Sequence, residues 1–359
     1  MAADATRAGD GGFVERTRAS AERVLVEHGG LGASLALVLD GEPVLAEAVG
    51  WRDSPRTART RPEDRFHLYS VSKSFIAGAA VRLAERGALD LDAPAAALLP
   101  ERALPGSVTL RRLLNHTAGV PDYGGLRGYH AAVRRSPDRP WSADGFLAAT
   151  LGRRPAAPAG RFAYSNIGYL LVRLAVERAA GRPLGEVLDA EVFRPLGARR
   201  LRLATGLGDV AGLAPGWGTA LGDGRTPVDV SRRYHPGWVP HGAVVGRAAD
   251  AALVLDGLMA GRLVGPASLD AMLEAVAADG PHWLFHEPGY GLGLMIHRSR
   301  PAGRLAGHGG EGPGYSAGAL CFAPERGPRV TAVALANTET HDLGLRLAWG
   351  LIASSTAAR

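Results

Sequence analysis

The chain has 359 residues, of which 46% are hydrophobic and 21% are charged, and its formal net charge is +6. This length and composition can build a sizeable core in one large domain or two subdomains. The single cysteine, Cys321, excludes an internal disulfide framework, and no apolar stretch is long enough to span a membrane. The basic residues are mixed with 35 acidic ones along the chain, which favours a solvated surface over a nucleic-acid site.

The predicted elements begin after a small, polar, Gly-rich segment, 1–12, which we expect to be flexible. This segment lacks the apolar core of a signal peptide, so the sequence predicts a cytoplasmic protein. An amphipathic helix is predicted over 14–28. Two apolar runs, 33–39 and 44–49, flank Asp40-Gly41, a pattern typical of a β-hairpin with a type I′ turn.

Helices dominate the middle of the sequence, from 70 to about 191, with long Pro- and Gly-rich loops between them. The stretch 205–247 is rich in glycine and lacks periodicity, and such irregular loops often shape a pocket. The remaining predicted elements are helices over 248–260, 266–278 and 343–354 and strands over 290–296, 315–322 and 330–336. Because strands occur near both ends, we predict an α+β fold. An antiparallel sheet from the N- and C-terminal segments is flanked by helices and joined to a mostly helical subdomain.

Lys73 is the only lysine among 41 basic residues. It lies in Ser70-Val71-Ser72-Lys73, an S-x-x-K motif at the start of a helix predicted to end at Gly87. Arginine keeps its proton at any workable pH, whereas a desolvated lysine can lose it and act as a base. Residues three apart share a helix face, so the motif indicates a Ser70 nucleophile activated by Lys73. The alternative is chance retention of one surface lysine.

Two further segments are candidates for the same site. Phe162-Ala163-Tyr164-Ser165-Asn166 precedes a helix predicted over 167–180; a phenol beside an ammonium can be held as phenolate, and Asn166 can donate to a carbonyl. The alternative is a helix N-cap with a tyrosine that only packs. The second segment, 307–315, lies directly before a predicted strand, and its glycines would let a ligand approach the backbone. The alternative there is an ordinary hairpin turn.

Together these segments resemble the serine β-lactamase and penicillin-binding-protein superfamily, in particular its class C β-lactamase-like branch of esterases, D-aminopeptidases, carboxypeptidases and transacylases. The resemblance extends over about 13–352 and is carried, in order, by 66–75, 83–92, 113–123, the Y-x-N element Tyr164-Ser165-Asn166 and the H-x-G element His308-Gly309-Gly310. It implies one β-lactamase/DD-peptidase-like catalytic domain over 13–357. The α/β part would comprise about 13–66 and 246–357, and the helical part about 67–245.

The resemblance also implies roles for the catalytic residues. Ser70 would be the acylated nucleophile, and Lys73 and Tyr164 would share the general-base and general-acid steps. Asn166 would orient the acyl carbonyl. No metal and no cofactor is expected, because the family chemistry requires only these side chains.

The implied substrate contacts surround the nucleophile. The backbone N–H groups of Ser70 and Glu311 would form an oxyanion hole, with Gly310 beside them. His308 would flank the leaving side, and Tyr123 would contact substrate from the cleft.

Two departures from the family pattern narrow the substrate. The third element lacks the lysine and threonine that bind a β-lactam carboxylate, and a Glu311 carboxylate facing the site would repel an anion. The resemblance therefore implies a serine hydrolase or acyltransferase for an ester, amide or thioester of a small metabolite, a chemistry found in secondary metabolism. Its partners would be a small-molecule acyl donor and water or an amine or alcohol acceptor, with neither nucleic acid nor membrane involved. The alternatives are a D-amino-acid peptidase or carboxypeptidase and a non-catalytic binding module that retains the fold.

Overall fold

One large antiparallel sheet organises the computed structural model, which describes residues 11–299 and 303–357. In chain order the strands are β1 (Gly32–Leu39), β2 (Glu42–Gly50), β3 (Phe66–His67), β4 (Arg202–Ala204), β5 (Trp217–Gly218), β6 (Val228–Asp229), β7 (Ala243–Gly246), β8 (Val276–Ala277), β9 (Pro288–Tyr290), β10 (Met295–His297), β11 (Gly303–Gly312), β12 (Tyr315–Pro324) and β13 (Val330–Ala336). Eight of them form the large sheet in the order β2-β1-β13-β12-β11-β10-β9-β8, and each neighbouring pair is antiparallel. The first strands of the chain thus pair with the last, which confirms the predicted α+β fold.

Helices cover the sheet and build the rest of the described chain. In chain order they are α1 (Gly11–Glu27), α2 (Ser72–Glu85), α3 (Leu110–Leu114), α4 (Arg127–Arg135), α5 (Ala143–Thr150), α6 (Asn166–Ala180), α7 (Leu184–Leu188), α8 (Leu207–Val210), α9 (Ala248–Met259), α10 (Pro266–Leu273) and α11 (Leu343–Ala357). Within 11–299 and 303–357, none of these helices has the length and apolar character needed to cross a bilayer. Helices α2 to α8 form the mostly helical part, which lies between β3 and β7 in the sequence.

The alternation of side chains along β1 divides the core into two layers. Leu35 and Leu37 pack in the cluster that contains residues of α1 and α11. Ala36 and Val38 pack in the larger cluster, which contains residues of α2 and α9. The sheet is therefore buried on both faces, and the helical part extends the second layer.

The first hairpin forms as predicted. Asp40 and Gly41 both have positive φ, 46° and 94°, as a type I′ turn requires. Helix α1 begins at Gly11, so it includes the last two residues of the segment predicted to be flexible; residues 1–10 lie outside the described residues. The helix predicted over 266–278 ends at Leu273 because Glu274 is extended, and β8 follows to pair with β9.

The structure differs from the sequence prediction over the glycine-rich segment 307–315. Instead of a loop before a strand, most of this segment belongs to β11, which pairs with β12 up to Gly312 opposite Tyr315. The glycines allow close approach of neighbouring elements: a Cβ at Gly307 would lie 2.0 Å from the Ala319 carbonyl oxygen. Packing against the sheet therefore determines the conformation here, and local propensity does not.

Candidate active site

Ser70 lies in a single 3₁₀ turn, Tyr69–Val71, that leads directly into α2. The residue before it, Tyr69, has a φ of 45°, a left-handed conformation that is strained for a bulky side chain. The Tyr69 hydroxyl donates to the Pro313 carbonyl oxygen at 2.6 Å. The β11–β12 hairpin therefore anchors the strained residue that presents Ser70.

Lys73 is fully buried beside this turn, with 0% of its surface exposed. Its Nζ lies 3.0 Å from Ser70 Oγ, 2.8 Å from Asn166 Oδ1 and 3.2 Å from His241 Nε2. Burial lowers the pKa of Lys73 from 10.5 to about 7, against a smaller opposing effect of the Asp122 carboxylate. The amine is therefore partly neutral at physiological pH and can accept a proton, and its role as a base remains a prediction.

Tyr164 approaches Ser70 from the other side, and its hydroxyl donates to Ser70 Oγ at 3.0 Å. Burial raises the pKa of this phenol; the hydrogen bond to Ser70 opposes the rise, and the carboxylates of Asp122 and Glu311 add to it. Because 36% of the residue is exposed, solvent limits the size of this rise. The direction is nevertheless opposite to the phenolate expected from the sequence, since the neighbouring Lys73 has itself a lowered pKa.

The start of α6 positions Asn166 next to Tyr164. Ser165 caps the helix by accepting from the Gly168 N–H, as the alternative for this segment predicted, but Tyr164 does not only pack, because its hydroxyl contacts Ser70. Asn166 donates through its backbone N–H and its side-chain Nδ2 to the two oxygens of Asp122, at 2.8 and 3.1 Å. This leaves Oδ1 of Asn166 facing Lys73. Asp122 lies in the family-like segment 113–123, but no pattern in that segment points to a role for this carboxylate.

His308 lies on β11 behind Tyr164, with the two rings 6.4 Å apart. Its Nε2 is 2.8 Å from the Tyr290 hydroxyl, and its Nδ1 faces the Gly309 carbonyl oxygen. Burial lowers the pKa of His308 to about 3, and Lys73 contributes to the same direction. The imidazole is therefore neutral, with a proton assigned to Nδ1 by its carbonyl partner.

The backbone of β11 forms one wall of the site. A Cβ at Gly310 would lie 2.2 Å from the Leu68 carbonyl oxygen and 3.2 Å from the Ser70 nitrogen, so only glycine fits. The next residue, Glu311, turns its carboxylate away toward the start of α11. There it accepts from the Asp342 N–H and pairs with His341 Nδ1 at 3.0 Å.

These contacts also bear on metal binding. Glu311, His341 and Asp342 form the one group of His, Cys, Asp or Glu side chains within 11–299 and 303–357 whose candidate ligand atoms all lie within 4.8 Å of one another. Both Glu311 oxygens already have protein partners, and the Glu311 carboxylate raises the pKa of His341, which favours an ion pair. The arrangement is satisfied without an ion.

A cavity of about 180 Å³ opens at Ser70. Its lining is largely aromatic and uncharged, and comprises Tyr69, Ser70, Tyr123, Tyr129, Asn166, Tyr234, Val239, His241, Glu311, Gly312 and Pro313. Tyr123 is among the lining residues, while its contact with substrate remains a prediction, and three lining residues come from the loop 205–247. A larger open groove of about 390 Å³ lies elsewhere, beside Glu85 and Arg111, and does not reach Ser70.

Curated relatives are similar in sequence to about half of this chain. Esterase EstB from Burkholderia gladioli is 35% identical over 194 residues, which is 50% of this chain and 48% of the esterase. D-aminopeptidase from Brucella anthropi is 31% identical over 183 residues, which is 50% of this chain and 34% of that enzyme. The matches thus cover less than half of these relatives.

Solved structures resemble the whole chain. D-amino acid amidase from Ochrobactrum anthropi SV3, complexed with L-phenylalanine amide, has a TM-score of 0.83 at 22% identity, covering 97% of this chain and 99% of the amidase. SurE has a TM-score of 0.72 at 29% identity, covering 97% of this chain and 76% of SurE. A family model described as Beta-lactamase matches residues 15–356. The chain therefore belongs to the Beta-lactamase family, whose fold and sequence segments it carries over nearly its full length.

Proposed function

We propose that this protein is a serine hydrolase or acyltransferase that forms an acyl-enzyme on Ser70. One observation carries the proposal: Ser70 Oγ lies 3.0 Å from both Lys73 Nζ and the Tyr164 hydroxyl. A serine hydroxyl needs a base to become a nucleophile, and a leaving group needs an acid. The two groups that contact Ser70 differ in the direction of their pKa shifts, so they suit these two tasks.

In the acylation step, neutral Lys73 takes the Ser70 proton as Oγ attacks the acyl carbonyl carbon. The oxyanion that forms is held by the backbone N–H groups of Ser70 and Glu311, which are fixed before the charge develops. Tyr164 then gives its proton to the leaving amine, alcohol or thiol, and the proton on Lys73 replaces it. The acyl group remains on Ser70 as an ester.

In the deacylation step, water or an amine or alcohol attacks that ester, and the same pair moves the protons in reverse. The acyl group itself is held by the apolar part of the cavity at Ser70. Tyr123, Tyr129, Tyr234 and Val239 line it with rings and one aliphatic side chain. We propose that this surface binds an acyl group the size of one apolar amino-acid residue.

A D-amino acid derivative is the second, narrower candidate for the acyl donor. The names of several relatives support it: a D-aminopeptidase, a D-amino acid amidase solved with D-phenylalanine, and SurE solved with D-Leu. The first candidate, a simple ester, rests on the likeness to esterase EstB.

Intact-mass spectrometry distinguishes these candidates. The protein is incubated with p-nitrophenyl acetate and butyrate, with D- and L-phenylalanine p-nitroanilide, and with N-acetyl-D- and N-acetyl-L-phenylalanine thioesters. We expect an adduct with the mass of the acyl group on wild type and none on Ser70→Ala, and added hydroxylamine reports transfer to an amine. Faster acylation by an L than by a D enantiomer would reject the D-amino-acid candidate. No adduct and no turnover with any compound would favour the non-catalytic binding module.

A further inference from the structure

His241 contacts the proposed base but has no role in the chemistry described so far. It lies just before β7 in the loop 205–247, is 1% exposed, and its Nε2 is 3.2 Å from Lys73 Nζ. Its other ring nitrogen, Nδ1, is buried and has no hydrogen-bond partner among the residues that the structure describes. A buried polar side chain with only one of its two nitrogens hydrogen-bonded is costly. We therefore look to the contact with Lys73 for the role of His241.

Counting hydrogens on Lys73 gives the direction of that contact. A lysine ammonium has three N–H donors, and three atoms surround Nζ: Ser70 Oγ, Asn166 Oδ1 and His241 Nε2. After loss of one proton, the amine keeps two donors and gains one lone pair. The amide oxygen of Asn166 can only accept, whereas the Ser70 hydroxyl can also donate.

We propose that His241 is a positioning residue that accepts one Lys73 hydrogen through Nε2 and thereby, with Asn166, turns the amine lone pair toward the Ser70 hydroxyl. This inference rests on the proposed function, in which Lys73 is the base. It requires the His241 proton on Nδ1, the atom that has no acceptor among the described residues. If the Nε2–H tautomer were present instead, His241 would occupy the lone pair and compete with Ser70.

The charged and titratable groups around His241 and Lys73 do not interfere with a measurement of the Lys73 pKa. They are Asp122, His116, His308, Tyr164, Tyr169 and Arg173. Burial lowers the pKa of all three histidines, including His241, and raises the pKa of both tyrosines. Between pH 6 and pH 9 the group that changes charge next to His241 is therefore Lys73.

Because Lys73 is the only lysine in the sequence, lysine labelled with ¹³C at Cε gives a single side-chain signal from which its pKa is read directly. His241→Leu removes the acceptor. His241→Gln extends an amide oxygen to the Nε2 position, and His241→Asn is a matched polar control whose shorter side chain reaches only the Nδ1 position. We expect the midpoint of the Lys73 titration to fall by about one pH unit in His241→Leu, because the buried ammonium loses its hydrogen-bond acceptor. It should recover in His241→Gln and remain low in His241→Asn.

Two outcomes of this titration overturn the proposal. An unchanged midpoint in His241→Leu would mean that the contact does not act on Lys73, and a raised midpoint would mean that His241 donates to the amine. Melting curves accompany each variant, and if His241→Leu does not fold, the Gln and Asn variants decide between the same outcomes.

Steady-state kinetics, with a substrate that the wild-type protein turns over, separate this proposal from the proposed function. We expect His241→Leu to lower kcat about 10-fold to 100-fold with KM nearly unchanged, and the acid limb of its pH–rate profile to move to lower pH with the titration. A changed KM with wild-type kcat and pH profile would mean that His241 acts on substrate binding and not on Lys73, and would overturn the inference. Absence of any acyl-enzyme in wild type would refute the proposed function, while the titration would still report whether His241 accepts from Lys73.

Discussion

Replacing Lys73 by arginine puts a permanent positive charge in the site and removes the amine that can gain and lose a proton near neutral pH. Lys73 Nζ contacts Ser70 Oγ at 3.0 Å, and burial lowers its pKa to about 7. At pH 8 about nine-tenths of this amine is neutral, whereas the neutral fraction of a guanidinium is on the order of 10⁻⁴ or less. We therefore expect Lys73→Arg to lose about 10²- to 10⁴-fold in kcat/KM, as Lys73→Ala does.

The same shift has a consequence for stability. Lowering the pKa of a fully buried lysine from 10.5 to about 7 represents a penalty on the order of 5 kcal/mol against its charged form. Wild type avoids this penalty progressively as pH rises from about 7 to 10.5, because the folded protein releases a proton that the unfolded chain still binds. Arginine carries its charge throughout, so the deficit in unfolding free energy of Lys73→Arg should widen from pH 7 upward.

The assay compares wild type, Lys73→Arg, Lys73→Ala, Ser70→Ala and the Ser70→Ala/Lys73→Arg double variant with p-nitrophenyl butyrate at pH 8, at a temperature where melting curves show each to be folded. Ser70→Ala and the double variant should be equally inactive, since residues that act as one unit are non-additive. A folded Lys73→Arg protein that keeps more than a tenth of wild-type kcat/KM would refute the reasoning. Lys73 would then act only as a charge, and Tyr164 would be the base.

Three further predictions test other parts of the site. Nitrocefin and benzylpenicillin should be hydrolysed far more slowly than short p-nitrophenyl esters, because the described residues that line the cavity at Ser70 include no lysine or arginine that could bind the β-lactam carboxylate; a nitrocefin kcat/KM of roughly 10⁴ M⁻¹s⁻¹ or more would contradict this. Tyr164→Phe should keep its melting temperature but lose about 10²- to 10⁴-fold in turnover, and near-wild-type activity would make Tyr164 a packing residue. Burial lowers the pKa of both His67 and His308 to about 3, so the stability that their neutral rings contribute is present above about pH 6.5 and is lost as pH falls toward 3. The urea midpoint should therefore drop between pH 7 and pH 4.5, and less so in His67→Gln; equal drops in both proteins would contradict this cause.

The chemistry that depends on local spacing could be predicted from the sequence. Ser70 and Lys73 are three residues apart at a helix start, so any helix there brings their side chains together. The hairpin around Asp40-Gly41 could be predicted for the same reason, because its turn depends on two neighbouring residues. The family followed from several such segments in order, and the fold followed from the family.

What the sequence could not predict depends on contacts between distant segments. His241 is 168 positions from Lys73, in a loop without periodicity, and only a histidine in an otherwise glycine-rich stretch hinted at it. The Glu311 carboxylate has partners 30 and 31 positions away, so the sequence alone could not predict which way this side chain points. The sequence does not predict strand β11 because its glycines have low strand propensity, while the small size of Gly310 is what lets the sheet approach Leu68.

The two sides of the cavity differ in how much sequence change they can absorb. On one side the backbone of β11 lies directly against Leu68 and Tyr69, where any side chain at Gly310 or Gly312 would clash. On the other side the surface consists of side chains, among them Tyr129, which lines the cavity and packs against Tyr123. Under the proposed function, divergence toward new acyl groups would concentrate on the aromatic side, and a library that varies this side while fixing the glycine strand would leave the backbone around Ser70 unchanged.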